Sequence, residues 1–223
     1  MALIESLRLV LAPPHRAGTP FIAAGVAVAL GGLFLHGAVT AAGLTFTLFC
    51  LYFFRDPVRV RSPVPGAILA PADGKIVSIM LAVPPAELGL GAEPRWRVAI
   101  FLSVLNVHVN RMPADGVVSK IAYHAGRFLN ASVDKASEEN ERNAVALRLA
   151  DGRDMAVVQI AGLIARRILC DVREGDRVTG GDRFGIIRFG SRTDLYLPHG
   201  IFPTVAVGQT AVGGETVLAM LGA

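Results

Sequence analysis

Asp73, His108 and Ser191 are the residues of this chain whose types could carry chemistry together. They lie in Pro71-Ala72-Asp73-Gly74, in Asn106-Val107-His108-Val109-Asn110-Arg111-Met112-Pro113, and in Phe189-Gly190-Ser191-Arg192. A neutral serine is a poor nucleophile and reacts when an adjacent base, itself oriented by a carboxylate, draws off its proton. Taken singly, each has a plain structural reading: a core histidine among valines, an Asp-Gly turn, a loop serine after a strand. Other chemistries lack their residues. There is no His-Glu-x-x-His, no Cys-x-x-Cys and no phosphate-binding loop, so no metal is expected and standard nucleotide sites fail. Gly89-Leu90-Gly91 lacks the third glycine of a dinucleotide turn, and Cys50 and Cys170 are too few for a disulfide scaffold.

The elements that would position these residues change character along the chain. Beyond Pro57 the sequence reads as short strands rich in Val, Ile, Leu and Phe, broken by Gly, Pro and Asp. Strands are expected at Ala67–Ala70, Lys75–Leu81, Arg97–Leu102, Gly116–Tyr123, Asn143–Leu149, Met155–Ile160 and Arg183–Phe189. Pro84–Pro94 reads as a loop with one helical turn, and Ala165–Cys170 as either strand or short helix. Glu174-Gly175-Asp176-Arg177-Val178 and Gly181-Asp182-Arg183-Phe184-Gly185 share the Gly-Asp punctuation of Ala72-Asp73-Gly74-Lys75. These turns resemble the hammerhead of biotinyl and lipoyl domains, which implies a barrel-sandwich. A carrier role lacks its Met-Lys-Met attachment turn.

Ahead of the strands, Phe21–Phe54 runs 34 residues with no Asp, Glu, Lys or Arg, and His36 is its one ionisable side chain. As one helix it would be roughly 51 Å long, against a hydrocarbon core of roughly 30 Å. Gly31, Gly32, His36 and Gly37 offer a break, so two short helices forming a hairpin are expected. Arg8 and Arg16 precede the run, and Arg55, Arg59 and Arg61 follow it, as they would with both ends cytoplasmic. A hairpin buried in a soluble core is the competing reading. The expectation is a membrane anchor over residues 1–54 and a β-rich catalytic domain over 55–223, at the cytoplasmic face of the cell membrane.

Composition narrows the partners. With 52% hydrophobic and 18% charged residues the chain is no disordered polyelectrolyte. A net charge of +4 leaves anionic partners open, both nucleic acid and an anionic bilayer. Aromatics are 7% of residues and concentrate in the apolar run, too few to interleave with basic residues on a single strand of nucleic acid. No nucleic acid is expected.

Five motifs then stand in order: Phe54-Arg55-Asp56-Pro57, Pro71-Ala72-Asp73-Gly74-Lys75, the histidine motif from Asn106 to Pro113, Asn140-Glu141-Arg142-Asn143, and Phe189-Gly190-Ser191. Their order and spacing resemble the phosphatidylserine decarboxylases of the short prokaryotic type, from about Phe53 to Leu197, with the apolar run in its expected place. The resemblance implies a mostly β, pyruvoyl-dependent enzyme that converts phosphatidylserine to phosphatidylethanolamine and CO2 through a Schiff base. The pyruvoyl group would come from Ser191. Its Oγ attacks the Gly190 carbonyl, the ester formed by this N-to-O acyl shift undergoes β-elimination, and the dehydroalanine hydrolyses with loss of ammonia. A β chain of residues 1–190 and an α chain of residues 191–223 would result. Decarboxylation needs such a group, because no ordinary side chain takes up the electrons that CO2 leaves behind.

By the same resemblance His108 is the base and Asp73 its orienter, with His108 also reprotonating the product carbanion. Gly190 would suit a crowded scissile peptide because it has no Cβ. Longer members carry a second histidine where this chain has Arg111, and read Leu-Gly-Ser-Thr where it has Phe189-Gly190-Ser191-Arg192. Arg111 can offer charge to an anionic substrate but cannot act as a base at neutral pH. Two other classes fit less of the chain. A pyruvoyl decarboxylase of a soluble amino acid has no use for the apolar run, and a membrane-tethered β carrier or adaptor would remain one uncut chain.

Overall fold

The computed structural model describes residues 12–126, 140–162, 167–188 and 191–222. The chain divides into two compact units, Met1–Val58 and Arg59–Ala223.

Among the described residues the first unit carries two α-helices, α1 (Thr19–Gly32) and α2 (Gly37–Phe53). The break falls at the residues expected for it, and His36 caps α2 by accepting the Ala38 N–H at 3.1 Å. The contacts run in opposite order along the two helices: Gly25 against Thr47, Ala29 against Gly43, Gly32 against Thr40. A Cβ on Gly43 would sit 2.4 Å from the Ala29 nitrogen, and one on Gly32 equally close to that of Thr40. Small residues therefore let the two backbones touch. Large apolar side chains point away from that seam, with Leu33, Phe34 and Leu35 of the connection 67%, 90% and 77% exposed.

The second unit is mostly β. Its strands begin with β1 (Ala67–Leu69), β2 (Gly74–Ala82), β3 (Arg95–Leu102) and β4 (Val109–Arg111). Then come β5 (Gly116–His124), β6 (Arg142–Arg148), β7 (Asp154–Ala161), β8 (Ile168–Cys170) and β9 (Arg177–Val178). The last are β10 (Arg183–Ile187), β11 (Ser191–Tyr196), β12 (Thr210–Ala211) and β13 (Val217–Met220). Among the described residues one curled antiparallel sheet runs β12-β2-β3-β11-β7-β6-β5-β9, beside a β4-β10-β8 sheet and a β1-β13 pair. Alternation sorts the side chains. Val145, Leu147, Met155, Val157 and Leu195 enter one core with Ile100 and Phe184. Ala144, Ala146, Val158 and Tyr196 enter another, on the opposite face and against Leu88.

The expected strands are present to within a few residues, and the loop after Pro84 carries one 3-10 turn, Ala86–Leu88. Ala165–Cys170 resolves in favour of strand at Ile168–Cys170, with residues 163–166 outside the described set. β4 and β11 are not among the strands expected: β4 lies within the histidine motif, and Ser191, whose plain structural reading is a loop residue, opens β11 in mid-sheet. β11 hides from pattern reading because Ser191, Arg192, Thr193 and Asp194 are all polar and all fully buried.

Candidate active site

Ser191 is paired with Leu102 of β3 on one side and Ala161 of β7 on the other. Its side chain is fully buried, and Oγ has no hydrogen-bond partner among the described residues. Phe189 and Gly190, which precede it, lie outside the described residues.

His108 is buried just before β4, and its carbonyl accepts the Ile187 N–H at 3.3 Å, so the strand leading toward Ser191 runs past it. Its Nδ1 lies 3.0 Å from the Asn106 carbonyl oxygen. A carbonyl only accepts, so this contact puts the proton on Nδ1 and makes Nε2 the basic nitrogen.

Asp73 sits in the turn before β2, at the same end of the sheet as Ser191 but two strands over, since Lys75 pairs with Phe101 and Phe101 with Arg192. Two strand spacings are about 9.5 Å, so Asp73 reaches Ser191 only through an intermediary. Its Oδ2 accepts from Arg59 Nη2 at 2.6 Å and its Oδ1 from the Gly213 N–H at 2.8 Å. The Arg59 partner was not legible in the sequence, where Arg59 reads as a basic flank of the apolar run. Arg61, read the same way, pairs with Asp115 at 2.7 Å. The Asp73 turn and the histidine motif are tied directly, the Arg111 N–H donating to the Pro71 carbonyl at 2.8 Å. Arg111 is 5% exposed, and its guanidinium donates to the Gly181 carbonyl at 2.9 Å, which fastens β4 to the turn before β10.

Around Ser191 the structure brings in residues that sequence reading passed over. On the interior face, Asn143 Nδ2 donates to Gln159 Oε1 at 3.0 Å, and Gln159 Nε2 donates to Asn110 Oδ1 at 2.8 Å. Gly185 makes room for that chain of amides, because a Cβ there would lie 3.0 Å from Gln159 Nε2 and 2.1 Å from the Leu169 oxygen. On the other face, Arg192 donates from Nε and Nη2 to the two oxygens of Asp194, at 2.5 and 3.1 Å. Arg97 adds a second cation 3.8 Å from Asp194 Oδ2. Burial, reinforced by the Asp194 charge, pushes the Tyr196 hydroxyl up to about 12. Arg188, three residues before Ser191, is held below its ordinary value by burial and then by the like charge of Arg167, whose carbonyl accepts its N–H at 3.2 Å. The signals available were an acid and a base two apart in Arg192-Thr193-Asp194, and a lone glutamine in Val157-Val158-Gln159-Ile160.

A mostly β domain that buries a serine and a histidine beside a network of polar side chains is built as an enzyme. The phosphatidylserine decarboxylase family model matches residues 46–219. A phosphatidylserine decarboxylase proenzyme of Granulibacter bethesdensis is 67% identical over 221 residues, covering 99% of this chain and 91% of the relative. Proenzymes of the same name from Gluconobacter oxydans and Cereibacter sphaeroides are 64% and 55% identical, over 99% and 98% of this chain and 100% and 94% of theirs. The chain belongs to the phosphatidylserine decarboxylase family.

Proposed function

We propose that this chain cuts itself between Gly190 and Ser191, and that the matured enzyme decarboxylates phosphatidylserine to phosphatidylethanolamine and CO2. The observation that carries the reading is the buried Ser191 hydroxyl, held without a partner at the first residue of a strand bonded on both sides. A hydroxyl is rarely buried unbonded unless it has a task. The residues fit a pyruvoyl group formed there, because β3 and β7 would hold residue 191 in the sheet after its N-terminal peptide is broken. Such a group supplies a carbonyl that takes up an amine and draws off an electron pair.

The chain's own residues prepare it. His108 Nε2 takes the Ser191 proton, and Oγ attacks the Gly190 carbonyl carbon as the C–N bond gives way to an ester. Elimination then breaks the Cβ–O bond, and water replaces the nitrogen, which leaves as ammonia. Asp73 and Arg59 fix one side of the histidine motif through the Pro71–Arg111 bond, and Arg111 fixes the other through Gly181. In Ser191→Ala both the nucleophile and the atom lost on elimination are gone. Mass spectrometry should find a single inactive 23.5 kDa chain. His108→Ala and Asp73→Asn should slow cleavage by roughly 10²–10⁴-fold. A Ser191→Ala chain that still splits would sink the mechanism.

The curled sheet and its Gly-Asp turns fit the barrel-sandwich type. We read residues 1–54 as a helical hairpin that anchors domain 55–223 to the cytoplasmic face of the cell membrane. No helix among the described residues is long and apolar enough to cross a membrane, and the hairpin's small-residue seam and exposed Leu33-Phe34-Leu35 tip favour embedding from one side. Arg59 and Arg61 contribute less to the bilayer than their position suggests, since Asp73 and Asp115 claim them. Phe34→Asp with Leu35→Asp should weaken sedimentation with phosphatidylserine vesicles by at least about 100-fold while self-cleavage continues. Unchanged sedimentation would remove the anchor reading.

A further inference from the structure

Thr193 Oγ1 and Asn110 Nδ2 are, like Ser191 Oγ, neutral polar atoms buried in the β domain with no hydrogen-bond partner among the described residues. Both side chains are fully buried. They lie together. Thr193 is the Cα partner of Gln159 across β11 and β7, and Gln159 is the residue whose amide nitrogen grips Asn110. Strand alternation puts Thr193 on the same face of β11 as Ser191, whereas Arg192 and Asp194 point to the opposite face.

The amide relay decides which atom Asn110 presents. Gln159 Oε1 is taken by Asn143 Nδ2, so Gln159 must donate with Nε2, and Asn110 must accept with Oδ1. What Asn110 has left is its N–H donors. A hydroxyl and an amide N–H side by side, neutral and away from water, are a fit for an anionic oxygen.

Distance decides which oxygen. Two residues along a strand span about 6.7 Å. An oxyanion formed on Gly190 during self-cleavage would need donors within about 3 Å, so these are too far to serve maturation. A substrate bound through its amine to residue 191 carries its carboxylate oxygen about 3.5–4 Å further on, and a hydrogen bond adds about 2.9 Å. The two sums agree.

Charge gives the same answer. In the reaction the carboxylate leaves as neutral CO2, its bonding electron pair stays behind, and a proton takes its place on the α-carbon. A cation beside the carboxylate would stabilise the charged reactant more than the transition state, where that charge is dispersing. Neutral donors orient the group while stabilising its charge less than a cation would. Arg192 and Arg97 are engaged with Asp194 on the far face, and Arg111, next to Asn110, donates its guanidinium to the Gly181 carbonyl.

We propose that Asn110 and Thr193 form a neutral subsite for the departing carboxylate of the serine headgroup, one strand step from residue 191, with Gln159 and Asn143 as positioning residues. This rests on the reading that residue 191 becomes the group that binds the substrate amine.

The test uses full-length Thr193→Val and Asn110→Asp with dihexanoyl phosphatidylserine in detergent. Both variants should cleave themselves as the wild type does. kcat/KM should fall about 10-fold for Thr193→Val and about 100-fold for Asn110→Asp, in which an acceptor replaces the donor. Inhibition by dihexanoyl phosphatidylethanolamine, which lacks the carboxylate, should stay within about two-fold of wild type. In the uncleaved Ser191→Ala chain, Thr193→Val should raise Tm by roughly 2 °C, because it removes a buried hydroxyl that has no partner. Wild-type kcat/KM in both variants, failure of Asn110→Asp to cleave, or a lowered Tm for Thr193→Val would overturn the subsite. A wild-type chain that never cleaves would instead overturn the reading beneath it.

Discussion

The two faces of β11 are made of similar residues put to opposite ends. Arg192, Asp194 and Tyr196 point to one face, where two cations gather on one carboxylate and the Tyr196 hydroxyl lies under its influence. Ser191 and Thr193 point to the other, each with a hydroxyl that finds no partner among the described residues. Each charged group on the first face has an opposite charge beside it, which is the condition on which a fold tolerates buried charge. The unmatched atoms on the second face are all neutral, which makes them affordable, and they stand at the strand's reactive end. Burial alone therefore does not mark function in this strand. Lack of a partner does.

The largest effect should come from unbalancing the matched face. Asp194→Asn removes the charge that Arg192 and Arg97 share, and breaking a buried pair from one side costs about 3–5 kcal/mol. Urea unfolding of the Ser191→Ala chain with and without Asp194→Asn measures it free of any change in maturation. A loss under about 1 kcal/mol would mean that the arginines are held by other groups, and the two faces would no longer differ in kind.

The same contrast explains what sequence reading reached. The strands of the two cores were legible because Val, Ile and Leu alternate or cluster between Gly-Asp turns, as in Met155–Ile160. The helix break was legible in its glycines and His36. β11 was not, because a strand carrying Ser-Arg-Thr-Asp offers no apolar pattern, and its place comes from pairing with β3 and β7, which are far away in sequence. Asp73, His108 and Ser191 could be named as types, yet the Arg59 partner of Asp73 lies 14 residues upstream and gave no local signal. Asn110 stood inside the histidine motif in plain view. Only the direction of the amide relay, set by Asn143 and Gln159, shows that it has donors to spare.

A smaller and more discriminating effect concerns Tyr196, the third side chain on the matched face. Burial first, and the Asp194 carboxylate second, push its hydroxyl up to about 12, against an opposing pull from Arg97. The unfolded chain releases that proton near pH 10. A group whose pKa is raised by folding lends stability in full below its unfolded value and loses it as pH climbs through the folded one. The wild-type chain should therefore lose on the order of 2–3 kcal/mol between about pH 10 and pH 12 from this residue. Tyr196→Phe should flatten that loss, which urea midpoints at pH 9 and pH 11.5 would show. At pH 8 the same substitution should destabilise by about 1 kcal/mol, because it deletes a hydroxyl bonded to Arg97. Thr193→Val, which deletes a hydroxyl three residues earlier on the unmatched face, should do the reverse. Two hydroxyl deletions of opposite sign in one strand would separate the face that holds the fold from the face kept for substrate. Equal signs would merge them.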